Sequence, residues 1–424
     1  MSVNQSFPER GLPDSSHDYA SPGEDSTTKS STDSMPTQRR EAWAYLSRVV
    51  EGPSRRLNEL LSHGVDVEDI ARGVREQQDW LGELRKQTAT RYEWMRPAED
   101  LEAMEQIGGR LITPEDAEWP TEIFSEAFGF AASGMSEHCR SYQDDAVPPH
   151  ALWVRGGGPL SGLVSRSVAL VGTRGTSTYG LSAARLLSRG LASHQWTIVS
   201  GGAKGIDTVA HTEAIDAGGY TVMVAASGLD VNYPASNTEL FTRIATHGCL
   251  VSEYPPGTHP ARHRFLTRNR LVAALAGGTV IVEAGWRSGA LNTLSWAEGL
   301  GRVAMAVPGP ITSNTTMGCH ARIKNGSAQL VTSADDIREL LEPVGTCDPD
   351  GQREIDFSGS PVTTLTRTEM RLFDACSSSF HTSTEIARDA GLPLGLAMHV
   401  LVDLASRGFI VRSGKLWARA QDCG

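Results

Sequence analysis

Paired cysteines are missing from this 424-residue sequence. Its six cysteines (Cys139, Cys249, Cys319, Cys347, Cys376 and Cys423) form no Cys-x-x-Cys and no Cys/His cluster at zinc spacing. That excludes a thiolate zinc site and a disulfide framework, and it suits reduced thiols in a cytoplasmic protein. No apolar run approaches 18 residues and no apolar stretch follows the first methionine, so neither a helical membrane span nor a secretory signal is expected. No P-loop sequence is present and no carboxylates stand at metal spacing. ATP hydrolysis, a metal site, a cofactor and a catalytic set are therefore not expected. Positive charge is also short: 39 Lys and Arg face 50 Asp and Glu, for a formal net charge of −11. Such a chain binds a polyanion only through a local patch.

What is present falls into blocks. Residues 1–40 hold nine Ser, four Pro and few large apolar side chains, the composition of a disordered tail. Residues 41–110 read as short amphipathic helices broken by Gly ("AWAYLSRVV", "RLNELLSHG", "VEDIARGV"), forming a small helical domain. Residues 111–150 read as a link. From 151 to 345 continuous apolar runs recur: "SVALVG", "TIVSGG", "YTVMVAA", "CLVSE", "GTVIVEA" and "RVAMAVPG". Helical patterns lie between most of them. Such alternation predicts an α/β fold, a Rossmann-like, doubly wound, mostly parallel sheet with its ligand edge at the carboxyl ends of the strands. Residues 346–362 read as a linker. Residues 363–424 show three helical segments and a Gly-turned hairpin, a winged helix. Its recognition helix, "LGLAMHVLVDLAS", has no Lys or Arg, and Leu396, Val400 and Leu404 are expected in its core.

The ligand edge carries the chemistry. The turn after the first run, Gly172 to Gly180, exposes backbone N–H groups and aims Arg174 at an anion, although its spacing is not Gly-x-Gly-x-x-Gly. Ser200, Gly201, Gly202, Lys204 and Gly205 in "SGGAKGIDTVAH" form the strongest phosphate-cradle pattern, joining a hydroxyl and a cation to a backbone free for close approach. Asp207 and His211 share one helix face, as a structural or a catalytic pair. Tyr233 and Tyr254, in loops after two later strands, either stack a base or pack beneath their loops. The stretch "RHRFLTRNRLVAAL" sets Arg262, Arg264, Arg268, Asn269 and Arg270 on the loop and first turn of a buried helix. These arginines hold phosphate, or they brace Glu253 and Glu283.

Taken in order, "VALVGTRGTSTYG", "SGGAKGIDTVAH", "GLDVNYPASN", "SEYPPG", "FLTRNR", "SGALNT" and "AVPGP" resemble the DNA-processing protein A family (DprA, or Smf) from about Ala151 to Val331. The resemblance implies an extended Rossmann-like domain that binds single-stranded DNA, loads the recombinase RecA during natural transformation and works as a homodimer. It also implies a sterile-alpha-motif-like N-terminal domain and a C-terminal winged helix as companions. Phosphate contacts then fall to Arg174, Lys204, Arg268 and Arg270. The sequence departs from the family at Gly318–His320, where an Asn is expected in place of His320, and at Leu266 and Thr267, where a proline is common. The alternative is a nucleotide phosphoribohydrolase of the LOG type. Its Pro-Gly-Gly-x-Gly-Thr-x-x-Glu motif is replaced here by "RSGALNTLSWAE".

Overall fold

A computed structural model describes residues 35–135, 145–342 and 365–420. Residues 1–34 of the tail and the whole 346–362 linker lie outside them. The last residues of the expected tail open a helix, Thr37–Val49. The chain divides into two compact units, Met1–Ile337 and Arg338–Gly424.

The first unit is built on nine strands: β1 (Gly109–Ile112), β2 (Leu152–Gly156), β3 (Ser167–Gly172), β4 (Thr197–Ser200), β5 (Thr221–Ala225), β6 (Gly248–Ser252), β7 (Gly278–Glu283), β8 (Val303–Ala306) and β9 (Gln329–Leu330). They lie in the order β1-β2-β6-β5-β4-β3-β7-β8-β9. From β3 onward all pairs are parallel; β1 and β2 join antiparallel at one edge. Every residue of β4, β5, β6 and β7 is buried, which is why these strands read as unbroken apolar runs. The chain winds outward from β3 to β6, then crosses back to β7 on the other side of β3 through the helix Arg262–Ala274. Loops therefore part at the carboxyl end of β3, where an open α/β sheet offers its crevice.

Strand alternation sends side chains to two cores. Leu152, Val154, Val222 and Val224 join one with Phe124, Phe128 and Leu294. Trp153, Met223 and Leu250 join the other with Trp43, Leu46, Leu57 and Ile70 of the N-terminal helices. Trp153 also donates its indole N–H to Ser47 Oγ at 2.9 Å. The helical segment thus covers one face of the sheet and falls in the same compact unit.

The stretch expected as a link, 111–150, instead carries part of β1 and the helix Thr121–Ala132, whose Phe124 and Phe128 are core. The two outermost strands, β1 and β9, and β2 beside β1 were not expected.

The second unit has helices Arg367–Ala375, Ser383–Asp389 and Leu394–Ser406 and a sheet ordered β10-β12-β11, from His381–Thr382, Leu416–Arg419 and Ile410–Ser413. Thr366 with Glu369 and Thr382 with Glu385 form capping boxes that start the first two helices. This is the winged-helix pattern. Val400 and Leu404 are buried, but Leu396 is 43% exposed and leaves the expected core. It lies on the turn of the Leu394–Ser406 helix that faces solvent.

Candidate nucleic-acid interface

Two glycine turns meet at the carboxyl edge. A Cβ on Gly205 would lie 2.4 Å from the Thr173 carbonyl, and Gly205 has φ +88°, so only glycine lets the 201–205 turn rest on the turn after β3. A Cβ on Gly172 would lie 2.4 Å from Ile206. Glu283, fully buried at the end of β7, ties this edge together. It accepts from the Ser177 hydroxyl at 2.7 Å, from the Ser177 N–H at 3.0 Å and from the Thr315 hydroxyl. None of the arginines in the 262–274 helix pairs with it among the described residues.

The 201–205 turn differs from an open phosphate cradle. Asp207, buried on the helix Ile206–Asp216, accepts backbone N–H bonds from Ala203 (3.2 Å) and Gly201. Burial raises its carboxyl to about 6, and the Arg268 charge opposes that rise. The carbonyls of the turn are also engaged: Gly201 with Arg268 (2.7 Å), Gly202 with the Asn237 amide (3.2 Å) and Ala203 with Thr208 (2.8 Å). Ser200 is buried and donates to the Leu170 carbonyl at 2.6 Å. The expected cradle of N–H groups thus already holds the chain's own carboxylate, and the Ser200 hydroxyl faces inward. Asp207 and His211 do not meet; His211 Nδ1 bonds Thr221 Oγ1 at 2.6 Å, and burial pushes its imidazole down to about 3. Lys204 remains outside, exposed and with no hydrogen bond or ion pair among the described residues.

The arginine stretch is also placed differently from expectation. The helix begins at Arg262 itself, so Arg268 and Arg270 sit in its later turns and point into the protein. Arg268 donates to the Gly201 and Val224 carbonyls, and burial lowers its guanidinium to about 10. Arg270 is fully buried, pairs with Glu253 and lies over the Phe128 ring, 5.8 Å from its centroid. Burial raises the Glu253 carboxyl, and Arg270 opposes it. Asn269 donates to Asn292 at 3.1 Å. The bracing role fits Arg270 through Glu253. Tyr254 is 3% exposed, beneath its loop.

What faces solvent is a different set. Tyr233, 47% exposed, has its ring 5.5 Å from that of Phe265, and the exposed Arg174 lies 5.6 Å over the same Phe265 ring. Arg262 and His263 are exposed beside them on the helix, and Leu266 is 46% exposed. Phe265 was not singled out in the sequence; its signal was an aromatic residue set among arginines in "RHRFLTR". His320, at the Asn position, bonds the Gly309 carbonyl at 3.0 Å and props the loop after β8. Among the described residues no group of His, Cys, Asp and Glu is placed to hold a metal, and no helix is long and apolar enough to cross a membrane.

Comparison with known proteins places this edge in a family. The sequence profile described as DNA recombination-mediator protein A matches residues 110–342. A DNA processing protein DprA of Mycobacterium tuberculosis is 46% identical over 84% of this chain and 88% of its own length. Protein Smf of Escherichia coli is 40% identical over 46% of this chain and 51% of its own. The X-ray structure of DprA from Streptococcus pneumoniae superposes with a TM-score of 0.57 at 30% identity, covering 73% of this chain and 99% of that one. With the mixed sheet, its carboxyl-edge glycine turns and these relatives in agreement, the chain belongs to the DNA recombination-mediator protein A family.

Proposed function

We propose that the first unit binds single-stranded DNA along the carboxyl edge of its sheet, and that the bound strand is handed to a recombinase of the RecA type. The observation that carries this reading is the platform of Tyr233 and Phe265 with Arg174 over the Phe265 ring, on an edge whose turn and helix also expose Lys204 and Arg262. A base stacks on an aromatic face without regard to sequence, and loop cations follow the phosphates. This narrows the expected contact set. Arg174 and Lys204 act directly, Gly172 and Gly205 let the turns approach each other, and Tyr233 supplies a base contact. Gly201, Gly202, Arg268, Asn269 and Arg270 shape the edge from beneath. Membership of a recombination-mediator family supports the recombinase as partner, and a homodimer is part of the proposal.

Against the phosphoribohydrolase reading, Glu298, the glutamate of "RSGALNTLSWAE", is paired with Arg322 at 3.0 Å. Titration of the full chain with an oligothymidylate and with a duplex of equal length, across salt, tests the proposal. Single-strand preference with a steep salt slope is expected; equal affinity for both would remove it. Magnesium-dependent nucleotide turnover that copurifies with the chain would restore the hydrolase.

A further inference from the structure

The 262–274 helix carries Arg262, His263 and Arg264 in its first turn, and the last two meet an acid from a distant part of the chain. Glu51 follows the helix Thr37–Val49 and reaches the sheet's ligand edge. Its carboxylate accepts from Arg264 at 2.6 and 2.8 Å, from Arg91 at 2.9 Å, and lies 3.5 Å from His263. The other amino nitrogen of Arg264 donates to the His259 carbonyl, and Arg264 is 18% exposed. Three of its five N–H groups are thus taken, among them the Nε–Nη2 edge that would grip a phosphate in bidentate fashion. Yet Arg264 is the chain neighbour of Phe265, whose ring carries the platform. A carboxylate thus covers a cation of the helix's first turn, one residue along the chain from the platform.

We propose that Glu51 is a built-in competitor for DNA phosphate: it holds Arg264 and His263 until a strand long enough to extend past Phe265 displaces it. This rests on the single-strand reading above. The exchange is one anion for another on the same donors, so it needs no rebuilding of the helix. The segment stays docked without the ion pair. Arg91 keeps the Val49 carbonyl at 3.1 Å, and Arg48 keeps Asp100 and the Pro256 carbonyl at 2.7 Å. Neutralising Glu51 therefore frees a cation and leaves the packing in place. The acid also repels phosphate at a distance within the Debye length, so its removal acts on the whole patch.

The experiment is oligothymidylate binding by the full chain across salt concentrations, for the wild type and for Glu51→Gln. The variant should bind roughly three- to fivefold tighter at low salt, the range of a partly exposed ion pair. Its log affinity should also fall about 0.7 more steeply with log salt, the increment for one more phosphate on a single strand. Adding Arg264→Gln to Glu51→Gln should remove both gains. In the wild type, hydrogen exchange of amides 50–52 should speed up when saturating oligothymidylate is present; this readout stands even if a variant fails to fold. Equal or weaker binding by a folded Glu51→Gln, or exchange at 50–52 that is unchanged or slower on binding, overturns the proposal and leaves Glu51 a tie between segments. Lys204→Ala separates the two levels. If it weakens binding while Glu51→Gln changes nothing, only the competitor fails. If the wild type does not bind, both readings fall.

Discussion

Lys204 and Arg270 are both cations at one edge of the sheet, and their surroundings give them opposite roles. Lys204 is exposed and unengaged among the described residues, so its removal leaves nothing stranded. Lys204→Ala and Arg174→Ala should each weaken single-strand binding for all sequences alike. Each should flatten the plot of log affinity against log salt by about 0.7, with the melting temperature unchanged within a degree or so. Full affinity and an unchanged slope in Lys204→Ala would refute the phosphate role. Arg270 is fully buried on Glu253. Arg270→Ala strands a buried carboxylate and should cost about 3–5 kcal/mol of stability, read by urea denaturation. A loss under about 1 kcal/mol would show that water reaches Glu253. At this scale the sequence was legible in part. A knot of arginines marks charge, but burial of single residues depends on helical phase, and phase depends on where the helix starts. Placing the start at Arg262 instead of further along turned Arg268 and Arg270 from the loop into the core. Asp207 was hidden for another reason: a carboxylate filling its own turn leaves the glycine pattern of an open anion site unchanged.

Elements were read best where burial on two sides makes them unmistakable. The six runs that became β3 to β8 are continuous and apolar because helices cover both faces. β1 and β9 are the outermost strands of the sheet and β2 lies next to β1, and none of the three is buried along its whole length, so pairing, not an apolar run, defines them. The winged helix was legible from its spacing and its Gly-turned hairpin, and its Leu394–Ser406 helix carries no cation to meet phosphate. Ending the chain after residue 345 should therefore leave single-strand affinity within a few-fold in an equilibrium titration. A hundredfold loss would assign that unit a direct hold on DNA.

For the molecule as a whole, two histidines tie stability to pH. Burial pushes His150 down to about 4, helped by the Arg270 charge, and His211 down to about 3, helped by Arg268. In the unfolded chain each takes its proton near 6.5. A depressed folded value gives stability that is present above that pH and lost as pH falls toward the folded value. Each histidine then contributes a slope of up to about 1.4 kcal/mol per pH unit. Asp207, raised to about 6, has the opposite sign: its contribution is complete below about 4 and lost as pH rises through 6. Glu253, also raised, acts in the same direction as Asp207. The His150 and His211 imidazoles should therefore stay neutral in NMR spectra at pH 5. With two histidines set against one carboxyl at about 6, the urea midpoint should fall between pH 7 and pH 6. Titration of both rings near 6.5 would contradict the burial described here.

The sharing of one core by the N-terminal helices and the sheet bears on how the chain can be cut. Residues 110–342, the stretch common to the family, would begin in the middle of β1 and lack the layer that faces Trp153, Met223, Phe241 and Leu250. A fragment with those ends should bind a hydrophobic dye and self-associate, whereas one starting at residue 35 should remain monodisperse or form a defined oligomer. The helices can therefore be exchanged between relatives only together with the sheet residues beneath them: the inheritable piece is the pair of layers, not either one alone.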